Sequence, residues 1–252
     1  MAEVRKPVIA GNWKMHNGPA ATREFFSAFL GAFAPRNDRT VLFFPPALSL
    51  TAAVQATSGR TDIGLGVQNV YWEPKGAFTG EISAPLAKEA GAAFVLVGHS
   101  ERRHVFHESD QDVARKVKAV FDAGLTPVVC VGELLEERQA GRTESVVLRQ
   151  LAAGLEGLDA AAIARVAIAY EPVWAIGTGV NATPADAAAV HRVIRLWLRD
   201  HTPPGARARV LYGGSVNASN AAELLAEPEL DGVLVGGASL DADSWVSICQ
   251  AR

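Results

Sequence analysis

Residues 94–131 read FVLVGHSERRHVFHESDQDVARKVKAVFDAGLTPVVCV. Two apolar runs, Phe94–Val97 and Val128–Val131, bound this stretch. Both are short, continuous and mostly β-branched, which suits strands buried on both faces of a parallel sheet. Between them Val113, Val117, Val120 and Phe121 recur at the spacing of a helix with one apolar face. Ser109-Asp110 marks the start of that helix and Gly124 its end.

The same alternation runs through the rest of the chain. Further apolar runs lie at Pro7–Gly11, Val41–Phe44, Ile63–Val67, Val166–Tyr170, Val210–Tyr212 and Val233–Val235, which makes eight in all. Phe26, Phe29, Leu30 and Phe33 carry a helical period, as do Val190, Val193, Ile194, Trp197 and Leu198. Thr183-Pro184 places a capping threonine before a proline at the first helical position. Eight strands, each followed by a helix, in a chain of 252 residues predict an α/β protein of the closed (β/α)8 type. The reading takes residues 1–252 as one catalytic domain, because no linker, low-complexity segment or shift of composition divides them. An open doubly wound sheet is the rival, but neither a G-x-G-x-x-G nor a Walker A pattern occurs.

Composition narrows the function. Apolar residues make up 49% of the chain, enough for a sizeable core. The net charge is -3 and there is no basic tract, so nucleic acid is not expected as a partner. The apolar runs are too short to span a bilayer, and no apolar segment follows Arg5 and Lys6 as a signal peptide would require. Cys130 and Cys249 are too few for a disulfide framework, so the expectation is a reduced, cytoplasmic enzyme.

In a barrel of this kind the active site lies at the C-terminal ends of the strands. The first run ends in Asn12-Trp13-Lys14, the fourth in Gly98-His99-Ser100-Glu101 and the sixth in Tyr170-Glu171-Pro172. The seventh ends in Tyr212-Gly213-Gly214-Ser215 and the eighth in Gly236-Gly237. A cation, an imidazole, a carboxylate and two glycine turns therefore converge on one mouth, with no metal or cofactor motif beside them. His104 and His107, near Glu101 and Glu108, read as a solvated face because no zinc-ligand spacing supports them.

Four of these segments, residues 10–15, 97–103, 169–179 and 212–216, resemble the diagnostic motifs of the triosephosphate isomerase family in order and spacing. The resemblance extends from about Lys6 to Trp245. It implies a cofactor-independent isomerase of glycolysis and gluconeogenesis that interconverts dihydroxyacetone phosphate and D-glyceraldehyde 3-phosphate. Glu171 is then the base, since a carboxylate held dry and close can remove a carbon-bound proton. His99 is the neutral electrophile and proton shuttle, its imidazolium form disfavoured by a short helix beginning near Ser100–Glu101. Lys14 supplies positive charge, Asn12 a hydrogen bond, and Glu101 orients Lys14 or shuttles protons. Ser215, Gly236 and Gly237, with Gly177 of the lid, offer backbone N–H groups to the phosphate.

The lid comprises Pro172, Val173, Trp174, Ala175, Ile176, Gly177, Thr178, Gly179, Val180, Asn181 and Ala182. After Gly179 it reads Val180-Asn181-Ala182, where Lys-Thr-Ala is common in the family. The long segment Gln68–Glu81 carries Tyr71, Trp72 and Phe78. The family's corresponding loop enters the partner of a homodimer, and its threonine, matched by Thr79, reaches the partner's active site. Three other readings rank below this triose phosphate isomerase: a four-carbon ketose phosphate isomerase, which only pocket shape would distinguish; a barrel that binds without catalysis, against which the intact Asn12, Lys14, His99 and Glu171 argue; and a phosphate-binding barrel lyase or synthase, which would not carry the motif behind Glu171.

Overall fold

The computed structural model describes residues 6–176 and 182–251. Eight strands, β1 (Val8–Asn12), β2 (Thr40–Phe44), β3 (Ile63–Val67), β4 (Phe94–Val97), β5 (Thr126–Val131), β6 (Ala167–Tyr170), β7 (Arg209–Tyr212) and β8 (Gly232–Val235), pair in parallel and in chain order. β8 returns to β1, with Ile9 opposite Val233 and Gly11 opposite Val235, so the sheet is a closed barrel.

The period of two along each strand sorts the side chains into two cores. Ala10, Leu42, Leu96, Val128, Ala169 and Leu211 pack together inside the barrel. Their neighbours Ile9, Val41, Val95, Val129, Ile168 and Val210 pack in the larger core that includes the helices. Both faces of each strand are thus dry, which explains why the runs are continuously apolar.

The ring of helices comprises α1 (Pro19–Ala32), α2 (Leu50–Ala56), α3 (Ala84–Glu89), α4 (Ser100–His104), α5 (Asp110–Asp122), α6 (Leu135–Gln139), α7 (Thr143–Gly154), α8 (Ala160–Ile163), α9 (Pro184–His201), α10 (Ala221–Ala226) and α11 (Ala242–Gln250). The predicted starts of α5 and α9 coincide with capping boxes, Ser109 with Asp112 and Thr183 with Asp186. Some connections hold more than one helix: α4 precedes α5, and α6 and α8 flank α7. Elements of four or five residues are too short to display a hydrophobic period, so the sequence pattern shows only the longer helix of each connection.

Trp13 anchors the mouth. Its ring is fully buried, edge-on to Phe25 at 4.8 Å and near Phe26 and Phe43. Its indole N–H donates to the Ser239 carbonyl at 3.0 Å, tying the end of β1 to the turn after β8. Fully burying an aromatic ring contributes about 1.5–3 kcal/mol, so this attachment is firm.

Candidate active site

Every site residue predicted at a strand end stands there, and most line one cavity of about 330 Å³. Asn12, Lys14, His99, Glu171, Ser215, Gly236 and Gly237 all border it. Glu101 borders a second, adjoining cavity of about 200 Å³, which Asn12, Lys14 and His99 also line.

Lys14 takes a left-handed backbone conformation, φ 49°, that a non-glycine residue adopts only at a cost. Three contacts hold it there. The Asn12 side-chain oxygen accepts from the Lys14 N–H at 3.0 Å, and Gln68 donates to the Lys14 carbonyl at 2.7 Å. The ammonium meets Glu101 Oε1 at 2.5 Å. The cation is therefore aimed from both ends, by its backbone and by its partner carboxylate.

His99 caps α4. Its Nδ1 accepts from the Glu101 N–H at 3.2 Å, which leaves Nε2 to carry the proton of the neutral ring. That Nε2 faces Glu171 Oε1 at 3.0 Å. Glu171 Oε2 accepts from the Ser100 N–H at 2.9 Å. The carboxylate is 2% exposed, and a buried charge needs such partners. Burial pushes the Glu171 carboxyl up, but His99 and the Ser100 N–H outweigh it and hold the group below its usual range.

The sequence reading expects α4 to keep the His99 ring neutral. Burial presses its pKa down most, but the Glu171 carboxylate, by charge and hydrogen bond, together with Glu101 outweighs it, and the net direction in this arrangement is upward. The helix N–H at Nδ1 opposes a second proton; the carboxylate at Nε2 favours one.

Two glycines make room for Glu171. A Cβ on Gly132 would overlap the Glu171 carbonyl, and one on Gly213 would come within 2.8 Å of its Cγ. In the glycine turn after β8, Gly237 borders the cavity and has open space where a Cβ would be.

The described part of the predicted lid begins with a turn over Val173–Ala175 and reaches Ile176, which borders the main cavity. Ala182, at its far end, is buried. The predicted lid residues Gly177, Thr178, Gly179, Val180 and Asn181 lie outside the described residues. The start of that predicted segment rests on a residue that sequence reasoning passed over. Glu133, completely buried, accepts from the Trp174 indole at 2.9 Å and from the Tyr170 hydroxyl at 3.1 Å, with Arg138 at 3.7 Å. The signal was available: Gly132-Glu133 comes directly after β5, at the same end of the barrel as the other site residues.

Thr79 does not border either cavity of its own chain. It is exposed on the loop between β3 and α3, where Tyr71 packs its ring against Trp72 at 4.1 Å and Phe78 at 4.7 Å. Among the described residues no group of three or more His, Cys, Asp or Glu could hold a metal ion. No described helix is long and apolar enough to cross a membrane.

Comparison with known proteins shows the family. A family model described as Triosephosphate isomerase matches residues 7–252. The chain is 49% identical over 247 residues to a triosephosphate isomerase of Solibacter usitatus, covering 97% of this chain and 99% of that one. It is 49% identical over 251 residues to one of Syntrophotalea carbinolica, with 99% of each covered. A crystal structure of triosephosphate isomerase from Bartonella henselae superposes with a TM-score of 0.86 at 43% identity, covering 97% of this chain and 98% of that one. An isomerase constellation on a closed barrel, with relatives matched almost end to end, places this chain in the triosephosphate isomerase family.

Proposed function

We propose that this chain, as one catalytic domain over residues 1–252, interconverts dihydroxyacetone phosphate and D-glyceraldehyde 3-phosphate through an enediolate, in glycolysis and gluconeogenesis. The observation that carries the reading is the juxtaposition of Glu171, His99 and Lys14 around one cavity bordered by the two glycine turns. Glu171 exchanges its contacts with Ser100 and His99 for the substrate and takes a proton from carbon. Once it leaves those partners, burial is the dominant influence and makes it a stronger base. The same movement removes the carboxylate that raises His99. The ring then acts neutral, donating from Nε2 to the substrate oxygen and passing a proton between the two oxygens. Lys14 stabilises the oxyanion and Asn12 donates to it, while Glu101 orients Lys14. Ser215, Gly236, Gly237 and Gly177 hold the phosphate, and lid closure over residues 172–182 excludes water.

The proposed assembly is a homodimer through residues 68–81. Met15 is 94% exposed and Leu48 84%, with Phe106 and Phe78 also open. Met15 and Phe106 border the cavity next to Lys14 and Glu101, which suits entry of a neighbouring copy's Thr79 loop. The expected location is the cytoplasm, where Cys130 and Cys249 stay as thiols; both are buried and burial raises both pKa values.

A coupled assay on glyceraldehyde 3-phosphate, run beside tetrulose phosphates, tests the reaction. Triose phosphate is the preferred substrate, and Glu171→Gln lowers kcat by about 10²–10⁴-fold with phosphate affinity retained. Near-normal turnover of that variant, or a large preference for the four-carbon substrate, overturns the proposal.

A further inference from the structure

The opposite end of the barrel carries a groove that isomerisation does not use. It lies between α9 and residues 206–208, which lead into β7 at its N-terminal end. Its volume is about 310 Å³, and it shares no lining residue with the active-site cavity. Arg192, Arg195 and Arg199 reach it from one face of α9, being spaced at i, i+3 and i+7. Arg207 completes the set from the facing segment, and Glu229 is the only acidic residue among those lining the groove.

These four guanidinium groups are not equally committed. Arg195 donates to the Glu229 carbonyl and to Asp231 at 2.6 Å, so it is held as part of the wall. Arg192 has only a 3.6 Å approach to Glu229, and Arg199 pairs with its exposed sequence neighbour Asp200. Exposed pairs of this kind are worth little, about 0–1 kcal/mol, and exchange readily for a better partner. Arg207 has no hydrogen bond or ion pair with any described residue. The groove thus gathers one unpaired and two weakly paired cations beside the held Arg195, on a molecule whose net charge is -3.

One wall is apolar. Leu196 is 47% exposed beside the arginines, half-buried Ala206 faces the groove with it, and the buried Leu198 and Ala208 lie at its floor.

We propose that this groove binds a phosphate monoester with an aromatic body, of the nucleoside monophosphate class. Guanidinium forks match phosphate oxygens in pairs, and their planes stack on aromatic bases. Leu196 and Ala206 give the body a place out of water, which a bare inorganic anion would leave unused. The volume stands at the lower end of the range for small-molecule pockets, about 300 Å³, and so accommodates a mononucleotide better than a larger cofactor.

The test uses the full chain and adenosine monophosphate as the probe, followed by isothermal titration calorimetry. The expected result is saturable binding at one site per chain, with adenosine silent and inorganic phosphate at least about tenfold weaker. Arg199→Glu with Arg207→Glu lowers affinity at least about tenfold, while kcat/KM for glyceraldehyde 3-phosphate stays at the parent value and shows that the barrel is folded. Four results would each overturn the proposal. They are no binding up to about 5 mM, affinity unchanged by the charge reversals, inorganic phosphate binding as tightly as the nucleotide in a manner the charge reversals abolish, and competition between the nucleotide and glyceraldehyde 3-phosphate. The last would assign the nucleotide to the active site, and none of the four bears on whether the chain is an isomerase.

Discussion

At the scale of single residues, two histidines respond to pH with opposite sign. His191, on the inward side of α9, is fully buried, with Nδ1 3.2 Å from the Glu229 carbonyl and its ring edge-on to Tyr170. Burial pushes its pKa down to about 3. As pH falls below the ordinary histidine value, the unfolded ring takes up a proton and the folded one does not. Stability is therefore lost between about pH 6.5 and 3, approaching about 1.4 kcal/mol per pH unit. His191→Gln is less stable than the parent at pH 7.5, and urea midpoints show the gap narrowing at pH 5. A gap that stays constant or widens would mean that His191 is already charged in the fold. His99 is raised, so its contribution is present at low pH and lost as pH rises through its folded pKa. Glu171→Gln removes the carboxylate that raises it and leaves burial. Nitrogen NMR of the imidazole accordingly finds a lower His99 pKa in that variant, and an unchanged value would sever the link between the two side chains.

At the scale of elements, short connections carry the precision of the site. α4 has only five residues, too few to stand alone, yet it presents the Glu101 N–H to His99 and the Ser100 N–H to Glu171. It is held in turn by Arg103, which donates to the Gly98 carbonyl and to Asp110 at the start of α5. The start of the proposed lid has a similar anchor. The Trp174 indole donates to Glu133, and the Arg138 guanidinium lies 4.6 Å from the Trp174 ring centre while pairing with Asp186 of α9. Trp174→Phe keeps a ring but removes a donor to a buried carboxylate. The expected cost is about 1.5–3 kcal/mol in urea unfolding, with the active-site cavity still able to bind inorganic phosphate. An unchanged midpoint would show that Tyr170 and Arg138 alone satisfy Glu133.

At the scale of the whole molecule, closure of the barrel and exposure of its mouth set the remaining expectations. All eight strands deliver their C-terminal ends to one rim, so residues as distant in sequence as Asn12 and Gly237 border one cavity. Beside that rim, Met15, Leu48, Phe106 and Phe78 stand open to solvent. Covering them with a second copy predicts a dimer at assay concentrations. Shortening the loop across residues 72–79 gives monomers, by sedimentation velocity, with reduced isomerase activity because Lys14 and Asn12 lose support from across the interface. An unaltered chain that sediments as a fully active monomer contradicts this.

The amino-acid sequence by itself determined the architecture and which strand-end residues border the cavity at its mouth. Buried strands must be apolar on both faces, so eight such runs were legible without coordinates. Asn12, Lys14, His99, Glu171, Ser215 and Gly236 were legible from their positions at the C-terminal ends of those runs. Tertiary structure alone decided how those residues act on one another. That Glu171 rests on His99 and Ser100, that Gln68 pins the strained Lys14 backbone, and that Glu133 gathers Trp174, Tyr170 and Arg138 are facts of contact between segments far apart in the chain. The physical reason is range. Secondary structure follows from periodicity among near neighbours, whereas hydrogen-bond partners and the pKa shifts they cause depend on distances of a few ångströms that exist only once the barrel has closed.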